Sequence, residues 1–296
     1  MSLAPRAVLV HRTTEYEELV ARHGTHGQAA FFLSSRGRDI EEVAERHRRA
    51  RRALAEVTAA VPLNWRQALL ERADLDRFLF APEDVVLVVG QDGLVANAAK
   101  YLDGQPVIGI DTDPGRNPGV LVRHRPRDAA ALLASAGGTA EELTMVEAVT
   151  DDTQRLVALN EIYLGAPGHQ TARYRLGLDG DRGVVEAQAS SGVLVGTGTG
   201  ATGWLRSVWQ ERGGTLPLPA PTEDRLLWFV REAWPSPATG TSLVGGGLTA
   251  SASLTLTVES DRLIAFGDGI ESDALQLTWG QTVRVGVCGR RLRLVG

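Results

Sequence analysis

The stretch from Val85 to Ile110, VVLVVGQDGLVANAAKYLDGQPVIGI, limits what this chain can fold into more than any other. Val85 to Val89 is wholly aliphatic, as in a strand covered on both faces, and Gly90 ends it where the backbone must turn. Leu94, Val95, Ala98, Ala99 and Leu102 then recur at helical spacing, and Val107 to Ile110 reads as the next strand. The result is a βαβ unit with parallel strands. Asp92 therefore lies just past the carboxyl end of a buried strand. Ligands of open α/β sheets gather there, and a helix amino terminus favours anions. Gly90, Asp92 and Gly93 are the candidate ligand-facing residues of this turn. Glycine and aspartate are also ordinary turn residues, so a bare turn is the competing reading at this point.

The surrounding chain extends the same alternation. Ala7 to His11 reads as a first strand, with Thr13 and Thr14 as cap candidates for a helix through Tyr16, Leu19 and Val20. Asp39 to Ala60 is an amphipathic helix, and Asn64 to Phe80 reads as another, closed by Ala81-Pro82. Asp111 to Gly119 is a polar loop at a strand's carboxyl end, where loops carry function. A helix from Arg127 to Ser135 and a break at Gly137-Gly138-Thr139 end this part. From Leu143 the signals are short strands: Met145–Val149, Leu156–Leu159, Ala172–Leu178, Val184–Ala187 and Val193–Gly196. Turns fall at Asp151-Asp152, Asp179-Gly180 and Ser190-Ser191-Gly192. Helices are expected at Ala201 to Glu211 and at Leu226 to Ala233. Strands return at Leu254–Val258, Leu263–Phe266, Leu275–Thr278, Val283–Val287 and Arg290–Leu294. The expected architecture is α/β: a Rossmann-like α/β domain over residues 1–138, then a β-rich, sandwich-like domain over 139–296.

Charge and composition narrow the function. A net charge of -5 gives no electrostatic reason to expect nucleic acid or an acidic membrane surface as partner. The local cluster Arg123, His124, Arg125 and Arg127 reads equally well as a solvated helix entrance. Of the 31 basic residues only Lys100 is lysine, so the G-x-x-x-x-G-K-[ST] phosphate loop is excluded. Phosphate would have to be handled by backbone amides, arginines and metal. Cys288 is the only cysteine, which excludes an intrachain disulfide and a zinc site of several thiolates; no residue is assigned to a metal. No apolar run approaches a membrane span, and MSLAPRAVLVHRT lacks an h-region with a cleavage site, so a cytoplasmic protein is expected.

Two further polar stretches lie at element ends. Asn160-Glu161 closes an apolar run and offers an amide beside two acceptor oxygens, a pair suited to ribose hydroxyls, although an exposed turn is the plainer reading. Ser190 to Trp204, SSGVLVGTGTGATGW, runs a strand through a Gly/Thr turn into a helix. Glycines let backbone approach a ligand, the hydroxyls of Thr197, Thr199 and Thr202 can bond a base or ribose, and the Trp204 indole either stacks on a flat ring or packs in the core.

These blocks together resemble the NAD kinases, in particular the mitochondrial-type branch, from about Ala7 to the end of the chain. VVGQDGLVANAAKYLDGQPVIGI resembles the family's G-G-D-G-T block with its helix and strand, and IGIDTDPGRNPGVL the branch's loop of the form G-V-N-T-D-P-E-R. LNEIYLG is similar to the Asn-Glu motif, and SSGVLVGTGTGATGW to the S-S-G and T-G-T-G block. The resemblance implies an NAD kinase/diacylglycerol kinase-like fold with NAD bound to the carboxyl-terminal domain. It implies transfer of the terminal phosphoryl group of ATP to the 2′-hydroxyl of the adenosine ribose of NAD, with Mg²⁺ or another divalent cation. Asp92 would be the catalytic acid; Gly90, Gly93, Asn160, Glu161, Thr197, Thr199, Thr202 and Trp204 would bind the substrates. The resemblance also implies a homodimer. Gln91, Leu94 and Asp111 depart from the pattern, standing where the family has glycine, threonine and asparagine. They keep a second reading open, an NAD(P)-binding protein of the same fold with impaired catalysis, acting as sensor or partner subunit. A lipid kinase is disfavoured by the Asn160-Glu161 and Thr197 to Trp204 blocks and by the lack of a membrane-binding stretch.

Overall fold

The structure, a computed structural model, describes residues 4–116, 119–135, 138–179 and 184–296. Asn117 and Pro118 of the expected loop, Gly137 of the expected break and Gly180 of the expected turn lie outside the described residues. The chain forms two compact units, Met1–Glu141 with Arg293–Gly296, and Glu142–Leu292.

The first unit runs β1 (Arg6–His11), α1 (Glu15–His23), α2 (His26–Ser34), α3 (Ile40–Ala60), β2 (Arg66–Glu71), β3 (Asp84–Gly90), α4 (Asp92–Ala99), β4 (Pro106–Asp111) and α5 (Ala129–Ser135). The strands lie in the order β2-β1-β3-β4, all parallel. Val85 to Val89 of β3 is buried because β1 and β4 flank it and helices cover it, which is why the run shows no alternation. α3 begins where the Asp39 side chain accepts the Glu41 amide, and it buries Ile40, Val43, Ala44, Ala53, Leu54 and Val57. Leu54 and Val57 share a core with Leu9, Leu87, Ile108 and Leu133. Each large aliphatic side chain buried in this way contributes roughly 1.5–3 kcal/mol.

The helix expected over Asn64 to Phe80 is corrected: the chain there is strand β2 followed by a 3-10 turn at Arg72–Arg77. Its Ala, Leu, Gln and Glu are good helix formers, but the segment fills the edge position beside β1, and tertiary pairing overrides propensity. An edge strand also buries little, here Leu70 with Leu69 left exposed, so its pattern was faint. Helix α2, capped by Thr25, was not expected from the sequence.

The second unit contains β5 (Ala140–Thr150), which starts just before it, then β6 (Arg155–Ala158), β7 (Glu161–Gly165), β8 (Ala172–Leu178), β9 (Val185–Ser190), β10 (Gly192–Gly196), α6 (Trp204–Glu211), β11 (Arg225–Arg231), β12 (Gly245–Thr249), β13 (Ser253–Val258), β14 (Arg262–Gly267), β15 (Ile270–Thr278) and β16 (Thr282–Val295). One antiparallel layer runs β16-β13-β8-β9, and another β12-β11-β10-β7-β14-β15. Leu254, Leu256 and Val258 alternate inward from the first, while Val193, Val195, Leu226 and Trp228 come from the second. The unit is a two-layer sandwich around that shared core.

Here too the expectations need correction. Leu226 to Ala233 is not a helix; β11 occupies Arg225–Arg231 and pairs on both edges, with β10 and β12. A short continuous apolar run, LLWFV, does not reveal its period. Val283–Val287 and Arg290–Leu294 are one 14-residue strand, β16. Its last residues return to the first unit, where Arg293 and Leu294 pair in parallel with Pro106 and Val107 of β4.

Candidate functional site

The residues singled out in the sequence fall into two groups, one in each unit. In the first unit Gly90 closes β3, Gln91 is the N-cap of α4 without a side-chain cap bond, and Asp92 is the first helical residue. The Asp92 carboxylate accepts three consecutive backbone amides: Val120 at 2.9 Å on Oδ2, and Leu121 and Val122 at 2.8 and 2.9 Å on Oδ1. These bonds hold the strip 120–124 along β4, where the His124 amide donates to the Gly109 carbonyl and the Asp111 amide to the His124 carbonyl. A Cβ at Gly109 would collide with the carbonyl of Leu121, so glycine is what lets the strip lie flat. Leu94, where a threonine would have offered a hydroxyl, is 2% exposed and works as a core residue. Gly93 faces open space.

Beside this turn, at the carboxyl ends of β1, β3 and β4, lies a cavity of about 430 Å³, lined in part by Thr13, Arg46, Gly90, Gln91, Asp111 and Arg116. Its size is that of a small-ligand site. Thr13 is fixed by Glu71, whose Oε1 accepts its amide and hydroxyl at 2.9 and 3.3 Å. Thr14 forms a capping box with Glu17 and pairs with His47 Nδ1 at 2.9 Å, which anchors α1 at the rim. Arg46 is paired to Glu15 at 2.8 Å, whereas Arg12 and Arg116 reach Glu18 and Asp113 only at 4.0 Å. Gly90 and Gln91 line the cavity, as do Asp111 and Asp113. Loosely held guanidiniums with hydroxyls and carboxylates suit a phosphate chain carrying a divalent cation.

In the second unit the fold brings Asn160, Glu161, Thr197 and Thr199 together. Gly196 of β10 stands opposite Glu161 of β7 in register. Thr197 is fully buried; its hydroxyl donates to the Leu159 carbonyl at 2.6 Å and accepts the Thr199 and Gly200 amides, while its own amide donates to the Asn160 carbonyl. It therefore pins the turn rather than presenting a free hydroxyl. A Cβ at Gly200 would collide with the Asn160 carbonyl, which seats this turn directly on the Asn-Glu pair. Thr199 is 1% exposed and its hydroxyl has no partner, a buried polar atom without the bond it needs. Burial, and after it the charge of Asp268, pushes the Glu161 carboxyl up to about 8.

Thr202 is exposed and its hydroxyl donates to the Thr199 carbonyl at 2.9 Å. Trp204 is half-buried, stacked on Tyr163 with centroids 5.6 Å apart, and the Arg231 guanidinium lies 5.4 Å from its ring centre. Of its two readings, packing is the one its contacts display. The Ser190-Ser191-Gly192 turn is likewise occupied: Ser190 bonds Tyr174 and the Gly192 amide, and the Ser191 carbonyl accepts the Tyr163 hydroxyl.

In the sequence Asp268-Gly269 reads as an ordinary hairpin turn, and the cavity arginines are not singled out there. Asp268 accepts the amides of Leu159 and Asn160 at 2.8 and 2.7 Å, although its Gly-Asp-Gly context is that of any hairpin. Arg12, directly after the first strand, was the available signal for the cavity. The basic cluster at 123–127 is ion-paired, Arg123 with Glu141 and Arg125 with Asp111. Among the described residues no group of three or more His, Cys, Asp or Glu could hold a metal ion, and no helix is long and apolar enough to cross a membrane.

The fold is shared with solved kinases. A yeast NADH kinase, solved with NADH, superposes with a TM-score of 0.59 at 15% identity, over 99% of this chain and 84% of that one. An NAD kinase from Archaeoglobus fulgidus, solved with ATP, gives a TM-score of 0.59 at 17% identity, over 98% of this chain and 93% of that one. No protein-family model matches the sequence, and no curated protein matches it. The chain thus has the architecture of the NAD kinase structures: a unit with a parallel sheet and an antiparallel β unit.

Proposed function

We propose that this protein is an NAD kinase, transferring the terminal phosphoryl group of ATP to the 2′-hydroxyl of the adenosine ribose of NAD to give NADP. The observation that carries the reading is the Gly90-Gln-Asp-Gly93 turn at the carboxyl end of β3, bordering a cavity lined by arginines, hydroxyls and paired carboxylates. The shared fold with an NADH kinase and an NAD kinase supports it. The donor's phosphates would lie in the cavity against Arg12, Arg46 and Arg116, with Thr13 and Thr14, whose amides and hydroxyls are bonded to Glu71 and Glu17, shaping its rim. Mg²⁺ takes one or two carboxylates together with substrate phosphates. Asp111 and Asp113 line the cavity, but each is ion-paired in the free protein, to Arg125 at 3.4 Å and to Arg49 at 2.7 Å, and would exchange that arginine for the cation. Bound there, the cation would neutralise phosphate charge. Asp92 would orient the accepting hydroxyl, and Asn160, Glu161 and Thr199 would hold the dinucleotide, with the unpartnered Thr199 hydroxyl finding its bond there. Thr197 would support that turn. The chain would act as a cytoplasmic homodimer.

One observation favours a second reading, an NAD(P)-binding protein with impaired catalysis. Both oxygens of Asp92 are already committed to backbone amides, which leaves the carboxylate less free to serve a hydroxyl. Incubating the purified protein with NAD, Mg²⁺ and ATP or polyphosphate separates the two. NADP formation supports the kinase; calorimetric binding of NAD without NADP from any donor supports the second reading, and neither binding nor turnover removes both.

A further inference from the structure

The turn joining β14 to β15 carries Asp268 at φ 54° and Gly269 at φ 68°, both left-handed, which is the geometry of a tight two-residue hairpin turn. Hairpin geometry accounts for the backbone but not for where the carboxylate goes. Oδ2 accepts the Leu159 amide at 2.8 Å, and Oδ1 accepts the Asn160 amide at 2.7 Å and the Glu161 amide at 3.4 Å. The Asp268 amide donates back to the Glu161 carbonyl at 3.1 Å. The turn is also pressed onto the end of β6, since a Cβ at Gly267 would lie 2.7 Å from that of Ala158. A single side chain thus gathers the backbone from which Asn160 and Glu161 project.

We propose that Asp268 is a positioning residue for the Asn160–Glu161 pair, its carboxylate clamping the 159–161 backbone so that both side chains are held ready for the ribose hydroxyls of a dinucleotide. The ligand half of this proposal rests on the reading of the pair as part of an NAD site. The clamp places a second acid beside Glu161, and it is the charged group that acts on it. The Gly196–Gly200 turn packed alongside offers only backbone and hydroxyls. Negative charge at Asp268 therefore opposes ionisation of Glu161, so the clamp also tunes the protonation of the residue it holds.

The test uses the full chain with Asp268→Gly, which suits the left-handed turn and deletes only the carboxylate, and Asp268→Asn, which keeps its shape. Amide hydrogen exchange at Leu159, Asn160 and Glu161 and the pH midpoint of the Glu161 carboxyl, followed by ¹³C NMR and assigned with Glu161→Gln, need no ligand. Calorimetric titration with NAD reads the site. Asp268→Gly is expected to lose protection at all three amides and Asp268→Asn, which turns only one oxygen into a donor, at Leu159. Both are expected to bring the Glu161 midpoint down and to bind NAD about tenfold more weakly, the effect of losing a supporting hydrogen bond. Unchanged exchange and an unchanged midpoint overturn the clamp. If the unsubstituted protein binds no NAD, the functional reading falls with the ligand half of the proposal, while exchange still decides the clamp. If it does bind, and the variants match its affinity, positioning is overturned even though the turn is real.

Discussion

Three consecutive amides converge on the Asp92 carboxylate, so substitution there acts on local structure as well as on chemistry. Asp92→Asn turns one oxygen into a donor facing a donor, and is expected to lower stability by about 1–3 kcal/mol in urea unfolding. If Asp92 also meets the ribose hydroxyl, NADP formation falls by orders of magnitude while the variant remains folded and still binds NAD. Activity retained in step with the folded fraction would assign it to structure alone. Thr199→Val removes a buried hydroxyl that has no partner, so the free protein should gain up to about 1 kcal/mol in thermal or urea unfolding. If that hydroxyl serves the ligand, the same variant binds NAD more weakly. Glu161 gives the pH dependence. Its carboxyl loses its proton near the ordinary 4.5 when unfolded but only near about 8 when folded, so stability falls as pH rises between those values and levels off above them. The slope reaches at most about 1.4 kcal/mol per pH unit. Glu161→Gln should lack this slope, so its stability relative to the native protein rises between pH 5 and pH 8; parallel curves would refute the shift. Asn160, Glu161 and Thr199 were legible because their motifs are distinctive in order and type. Asp268 was not, because its partners lie more than a hundred residues away, and nothing local marks them.

The β3–α4–β4 element was legible end to end, since a buried parallel strand, a capped turn and a small-residue helix each leave a local signature. β2 and β11 were misread for opposite reasons: β2 lies at an edge and buries too little to show a period, while β11 is central and buries so much that the period disappears. What the sequence could not show is that β4 needs Gly109 at the point where the strip 120–124 crosses it. Gly109→Ala drives a methyl into the Leu121 carbonyl, and the strip must move off β4 and away from Asp92. The expected loss is about 1–3 kcal/mol in denaturant unfolding. It should be accompanied by faster hydrogen exchange at Val120, Leu121 and Val122, and unchanged exchange there would show that the contact relaxes elsewhere.

For the whole molecule, composition and the switch from strand–helix alternation to short strands announced an α/β part and a β-rich part, but no pattern announced that the end of the chain rejoins the first unit. Arg293 and Leu294 pair with β4, Leu294 and Val295 are buried, and the Val295 carbonyl lies 3.1 Å from His124 Nε2. Truncation after Leu292 should therefore weaken the first unit by roughly 3–6 kcal/mol, the burial of two aliphatic side chains, and abolish exchange protection along the exposed side of β4. Loss of stability confined to the second unit would contradict this. The same strand sets an order of events during synthesis. β16, which pairs with Pro106 and Val107 of β4, is made only after the rest of the second unit, so the parallel sheet stays open beside those two residues until that unit has been translated. A ribosome that stalls within the second unit releases a chain whose β4 edge is unpaired at Pro106 and Val107, and translation through β16 covers that stretch against pairing with another chain.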